Sequence, residues 1–188
     1  MVTKQELIYR QLITLQDGGR VLLRPLTQDD RQDLVDLYAP LSAFDRRYLR
    51  HDVSNPEVVN GWIDNLDYEK VLPLIAVMGD HIVGNATLHF IEGPARHRAE
   101  LRIFLAKEIR RRGVGSRMLQ ALIELAKRRN IHLLEAHITT DETNVIKAFQ
   151  NLGFELKCVL DDYFMLPDGE LRDIALLILR LRNAEGEF

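Results

Sequence analysis

Hydrophobic positions along the chain follow two periods, and the points where one gives way to the other mark its elements. Alternation at a period of two predicts strands over 12–16 and 20–24, with Asp17, Gly18 and Gly19 as the hairpin loop between them. The same period returns over 71–78 and 81–91, on either side of a Gly79 and Asp80 turn, and again over 99–105, where Leu101, Ile103 and Leu105 alternate with Glu100, Arg102 and Phe104. Strands are also expected over 132–139, 154–160 and 170–181, the last two joined by a turn at 166–169.

Helical spacing appears between these runs. Thr3 and Glu6 have the spacing of a capping box for a short helix over 1–9. Thr27 and Asp30 cap a helix bearing Leu34, Val35, Leu37 and Tyr38, and Pro40 stops it. A turn or two over 42–49 carries Arg46, Arg47 and Arg50 on its wet face. Asn55 and Pro56 then open a helix with Val58, Val59, Trp62, Ile63 and Leu66 on its apolar side. The longest helix places Met118, Leu119, Leu122, Ile123, Leu125 and Ala126 on one face and ends near Asn130. As a crossover it makes 99–105 and 132–139 parallel. A last helix, capped by Asp141 or Thr143, carries Val145, Ile146, Ala148, Phe149 and Leu152 and ends at a left-handed Gly153.

The passage from 99–105 into the longest helix holds the densest chemistry. Arg110, Arg111, Arg112, Gly113, Val114, Gly115 and Ser116 put three cations and two glycines at a helix start. Unpaired N–H groups and a partial positive charge there make an anion site, and glycine lets backbone approach ligand closely. A phosphate-bearing ligand is the first inference.

Composition narrows the partners. With 188 residues, 46% of them hydrophobic, the chain can bury the core of a single domain, with its main body over about 20–181. The formal charge of −3 makes no whole-chain case for nucleic acid or a membrane surface. It hides an asymmetry: residues 107–129 hold eight Lys/Arg against Glu108 and Glu124, a local +6, so the rest carries −9. Such a cationic crescent fits a polyanionic cofactor better than a duplex. The single cysteine, Cys158, rules out an internal disulfide and a multi-cysteine zinc site and reads as a small buried strand residue; no metal is expected. There is no apolar signal core and no run long enough to span a bilayer, so a cytoplasmic monomer or homodimer is expected.

Two familiar phosphate loops fail. Met118 occupies the third glycine position of a dinucleotide fingerprint, and no Gly-Lys-Ser/Thr ends a Walker loop. The order of elements, the run from Leu105 through Arg110, Arg111, Arg112, Gly113, Val114 and Gly115, and the later Asn144, Ala148, Leu152, Gly153 and Phe154 together resemble the GCN5-related N-acetyltransferases (GNAT). The resemblance implies an α/β (α+β) fold with a mostly antiparallel central sheet of about six to seven strands flanked by helices. It also implies a parallel, splayed pair at an acyl-CoA site, and acetyl-CoA as co-substrate.

In such a site the N–H groups from Arg112 to Arg117, by way of Gly113, Val114, Gly115 and Ser116, cradle the pyrophosphate, and Arg110 and Arg111 add charge. The amide-rich pantetheine arm pairs with the backbone edge from Ile103 through Phe104 to Leu105 as an added strand. By resemblance, the Ile103 N–H faces the thioester oxygen and Asn144 reaches the arm. The chemical step is direct attack of an amine, because no Ser or Cys accompanies a His as a nucleophile. Glu100 is the first candidate for the base, ahead of Glu92, His89 and His97. Many members of the family place a tyrosine four residues before the glycine of the second motif, and this chain has Phe149 there. A phenyl ring packs on the acyl arm or in the core but gives no proton, so Tyr163 is the substitute candidate. Phe149 also keeps open a second reading, a non-catalytic acyl-CoA-binding module.

Asp161, Asp162, Asp168 and Asp173 favour a cationic acceptor, and protein amino groups, polyamines, amino acids and aminoglycosides all fit that description. Charge reversal at Arg110 and Arg111 is expected to weaken binding of a CoA thioester by on the order of 1 kcal/mol for each arginine reversed, measured by calorimetry. Unchanged affinity would remove the pyrophosphate from this loop.

Overall fold

The computed structural model of the chain describes residues 8–181. The Thr3–Glu6 capping box lies outside them. The strands are β1 (Gln11–Thr14), β2 (Arg20–Pro25), β3 (Val71–Met78), β4 (His81–Phe90), β5 (Arg98–Leu105), β6 (Leu133–Thr139), β7 (Glu155–Met165) and β8 (Leu171–Arg180). The helices are α1 (Arg31–Tyr38), α2 (Ala43–Arg46), α3 (Pro56–Asp64), α4 (Val114–Arg128) and α5 (Thr143–Gln150). The strands form one eight-stranded, mostly antiparallel sheet in the order β1-β2-β3-β4-β5-β6-β8-β7, with β5 and β6 as its parallel pair. The hairpin predicted over 12–24 is present, with β1 paired to β2 from Gln11↔Leu23 to Thr14↔Arg20, and it brings the sheet to one strand more than the six to seven that the resemblance implies. Two units can be distinguished. One is the chain up to Thr87 with Ile103–Leu122, and the other is Leu88–Arg102 with the chain from Ile123 onward.

In the first unit a charged network sets the start of α1. The Arg24 guanidinium donates to both oxygens of Asp30, at 2.7 and 2.5 Å, and the Thr27 N–H and hydroxyl donate to Asp30 Oδ2 at 2.7 and 2.9 Å. The helix therefore opens as a short 3-10 turn at Gln28–Asp30 before α1 proper. Leu34 and Leu37 of α1 share a core with Val59 and Ile63 of α3 and Ile75 of β3. Asn55 caps α3 as the sequence predicts, accepting the Glu57 N–H at 3.0 Å. Arg46 and Arg47 are not simply solvated: Arg46 donates to the Leu41 carbonyl at 3.0 Å, and Arg47 stacks 4.0 Å from the Phe44 ring centroid.

In the second unit the parallel register joins Arg98, Ala99 and Glu100 to Leu133, Leu134 and Glu135. β6 then pairs with β8 without interruption from Leu133↔Arg180 to Thr139↔Ile174. The expected strand over 154–160 continues to Met165 through two irregularities. At the second, Asp162 turns left-handed (φ 52°) and donates its N–H to Asp173 Oδ1 at 2.9 Å, which absorbs the extra residues without ending the strand. Cys158 lies in a strand as expected but is exposed, not buried. The reason is that β7 is the last strand in the order, with β8 on one side only. Helix α5 starts from Glu142, not from Asp141 or Thr143, and the Thr139 hydroxyl donates to that carboxylate at 3.2 Å. Gly153 (φ 93°) ends it in the expected left-handed conformation.

Burial raises the pKa of Asp30, but the hydrogen bonds from Arg24 and Thr27 outweigh it and hold the carboxyl below its usual 3.8. A depressed folded-state pKa stabilises the fold above the unfolded value and ceases to do so as pH falls through the folded one. Asp30→Asn is expected to cost about 3 kcal/mol at pH 7, with the gap to wild type narrowing toward pH 3, as read by urea denaturation at both pH values.

Candidate active site

In the first unit, β5 hands over to α4 through a loop whose arginines have separate tasks. Arg110 donates through Nε to the Leu105 carbonyl at 2.9 Å. Arg112 is ion-paired with Asp17 on the β1–β2 turn. Arg111, between them, is exposed and left-handed at φ 60°, a conformation that costs a non-glycine residue roughly 1–2 kcal/mol, and Gly113 follows at φ 81°. Ser116 and Arg117 are exposed, Val114 is buried, and the first turn of α4 contains no acidic residue. An exposed, cationic helix start with a glycine hinge has the chemistry an anion needs.

The end of β5 supports two neighbours. Ile103 and Leu105 lie against the start of α4: a Cβ built on Gly115 would meet Leu105 Cδ1 at 3.0 Å and Ile103 Cδ1 at 3.7 Å. The glycine is what lets the helix start approach the strand. Phe104 packs elsewhere, with its ring centroid 5.1 Å from Tyr38, which in turn makes an edge contact with Trp62 at 5.8 Å. The Tyr38 hydroxyl accepts from Asn85 Nδ2 at 3.1 Å, and burial pushes the phenol up to about 12. At the other end of this unit's site, Lys107 holds Asp45 of α2 at 2.8 Å and, with the Ser42 hydroxyl, keeps that carboxyl at about 2.

In the second unit Glu100 is buried, at 7% exposure. Arg102 lies 2.6 Å from Oε2, and His137 Nδ1 lies 3.4 Å from Oε1. The His137 ring meets the edge of Tyr163 at 5.7 Å, and Tyr163 is half exposed on β7. Asn144 is exposed at the start of α5. Phe149 is 2% exposed and packs edge-on against Phe154 at 5.0 Å, so of its two readings the structure supports the core. Of the weaker base candidates, Glu92 and His97 are exposed, His97 beside the His132 ring, and His89 is half-buried.

Sequence reasoning missed His137, Tyr38, Trp62 and Asn85. The sequence predicts the parallel pairing without a register, and the observed one sets Glu135 opposite Glu100, with His137 next on the same face. Tyr38 and Trp62 read as ordinary apolar positions of their helices, and their meeting with Asn85 and Phe104 depends on tertiary packing alone.

A family model described as the acetyltransferase (GNAT) family matches residues 32–154. Among solved structures, the GNAT domain of S. lividans PAT is similar with a TM-score of 0.76 at 21% identity, over 96% of this chain and 100% of that one. Ribosomal-protein-alanine N-acetyltransferase from Brucella melitensis gives 0.74 at 24% identity, over 85% and 99%. Mycobacterium smegmatis RimJ in complex with CoA-disulfide gives 0.70 at 20% identity, over 91% and 86%. At these identities the likeness concerns the fold.

Asn85 Oδ1 is buried with no hydrogen-bond partner among the described residues, so the Tyr38 hydroxyl carries the whole of that amide's pairing. Tyr38→Phe is expected to destabilise the protein by about 1–3 kcal/mol in urea denaturation, because both ends of a buried amide then lack partners.

Proposed function

The chain belongs to the GNAT family of acetyltransferases, and from that premise we propose that it moves an acetyl group from acetyl-CoA to a primary amine by direct attack in a ternary complex. The observation that carries the reading is the Arg110-x-x-Gly113-x-Gly115 loop, exposed and cationic, set between β5 and the start of a 15-residue helix. The residues present fit a pyrophosphate: Arg111, Ser116 and Arg117 are exposed there, and Gly113 is left-handed. The parallel register takes up only the first three residues of β5, which leaves Ile103–Leu105 outside it and supports their use by an amide-rich arm.

In this reading the backbone N–H groups from Arg112 to Arg117 hold the pyrophosphate, and Asn144 and the strand edge orient the arm. The Ile103 N–H meets the negative charge that develops on the thioester oxygen. An alkyl amine is mostly protonated near pH 7, so a carboxylate must take its proton before nitrogen bonds to the carbonyl carbon. We assign that step to Glu100, acting through water, with Arg102 and His137 holding the carboxylate in place. As the carbon–sulfur bond breaks, the leaving thiolate takes a proton from Tyr163, since buried Phe149 has none to give. Half-buried Trp62 and Phe104, which pack on the buried Tyr38, suit an acceptor with an aliphatic or cationic chain beside its amine.

The test is a thermal shift with acetyl-CoA followed by thiol release with spermidine, lysine and an alanine-terminated peptide. Acetyl-CoA at about 100 times its Kd contributes roughly 2.7 kcal/mol of stability. Glu100→Gln is expected to lower kcat by about 10²–10⁴ while the shift with acetyl-CoA persists. Absence of any shift with wild type would sink the reading. A shift without thiol release from any amine would instead favour the acyl-CoA-binding module, the alternative that Phe149 supports.

A further inference from the structure

We infer that Asp17, on the turn between β1 and β2, is a positioning residue for the donor loop and acts through Arg112. The inference rests on the acetyl-CoA reading of that loop and adds a part of the chain, the amino-terminal hairpin, that the reading does not use.

Three consecutive arginines at a pyrophosphate site look like three equivalent charges, but their side chains are placed differently. The outer two are committed to protein oxygens. Arg110 Nε is bonded to the carbonyl of Leu105, the last residue of β5, at 2.9 Å. Arg112 Nη2 is bonded to Asp17 Oδ2, ninety-five residues away in sequence. Between these two attachments Arg111 is forced to φ 60°, and Gly113 at φ 81° opens α4. A left-handed arginine is unfavourable in a free loop, so its neighbours must hold it there.

The Asp17 end of this clamp is itself rigid. Its second oxygen, Oδ1, accepts the Gly19 N–H at 3.1 Å, while Leu15 and Gly19 close the turn with an N–H to carbonyl bond of 2.8 Å. One carboxylate thus fixes the turn with one oxygen and Arg112 with the other. Gly19 fits the same account, because a Cβ there would lie 3.2 Å from Asp17 Oδ1 and 3.5 Å from Arg112 Nη2, so the turn packs directly on the guanidinium. A carboxylate near a phosphate site is unfavourable unless its charge is matched. Arg112 matches it, which leaves the loop's backbone N–H groups, Arg111, Arg117 and the terminal nitrogens of exposed Arg110 for the ligand. The loop is set before the ligand arrives, and less ordering remains to be done on binding.

The experiment measures the Kd of acetyl-CoA and amide hydrogen exchange over residues 110–117 in the free protein. Asp17→Asn is expected to raise the Kd about threefold to fivefold, as suits a partly exposed ion pair, and to speed exchange in 110–117 while the remaining amides are unaffected. Asp17→Glu, which keeps the charge, should restore most of the affinity. Arg112→Ala should raise the Kd at least as much as Asp17→Asn, because it also leaves the Asp17 charge unmatched, and the double variant should be no worse than Arg112→Ala, since the two residues act as one unit. Three results would overturn the inference: tighter binding by Asp17→Asn, which would make Arg112 a phosphate ligand that Asp17 withholds; faster exchange spread over the whole protein, which would make the pair a general stabiliser; or no change in either readout. Failure of the wild type to bind acetyl-CoA would strike the parent reading itself, and is seen before any variant is made.

Discussion

A chain leaving β5 at Leu105 must begin α4 at Val114, and it does so with three arginines in the gap. Their mutual repulsion favours an extended, mobile loop. The structure overcomes this by giving the outer two arginines oxygen partners, the Leu105 carbonyl and the Asp17 carboxylate, and confining the strain to Arg111. The helix start, its glycine hinge and its exposed cations all take their positions from that arrangement. Gly115 completes it, because a side chain there would press on Leu105, 3.0 Å from where its Cβ would lie.

The same few residues of β5 organise the rest of the first unit. A strand presents successive side chains to opposite faces. Ile103 and Leu105 accordingly support α4, while Phe104 joins Tyr38 and Trp62 among the helices of the α1–α3 region. One strand end thus serves both the start of α4 and the aromatic group, and the Arg110 guanidinium of the loop lies 5.8 Å from the Phe104 ring centroid. In the second unit a different solution serves a buried carboxylate: Glu100 is kept between a guanidinium and an imidazole, and the imidazole abuts a tyrosine of β7.

The family and most of the elements were legible in the residue pattern because the information is local. Period-two runs, a Pro56 after Asn55, a Gly153 after an apolar helix face and the Arg110-x-x-Gly113-x-Gly115 loop each carry their structural meaning within a few residues. Where local reading erred, the cause was non-local. Cys158 looks buried from its apolar neighbours, yet β7 lies at the end of the strand order, and only the pairing of all eight strands establishes that. The extension of β7 to Met165 depends on Asp173 accepting the Asp162 N–H, a bond between strands.

By itself, the sequence determined the fold class, the place of the Arg110-x-x-Gly113-x-Gly115 loop between a strand and a helix, and a phenylalanine at 149 where many family members have tyrosine, since backbone preference and motif spacing are properties of contiguous residues. Tertiary structure decided which charges are available. Arg110, Arg111 and Arg112 are identical in the sequence and have separate tasks in the fold, because an ion pair depends on what lies opposite, and the residue opposite Arg112 is Asp17, supplied by the amino-terminal hairpin.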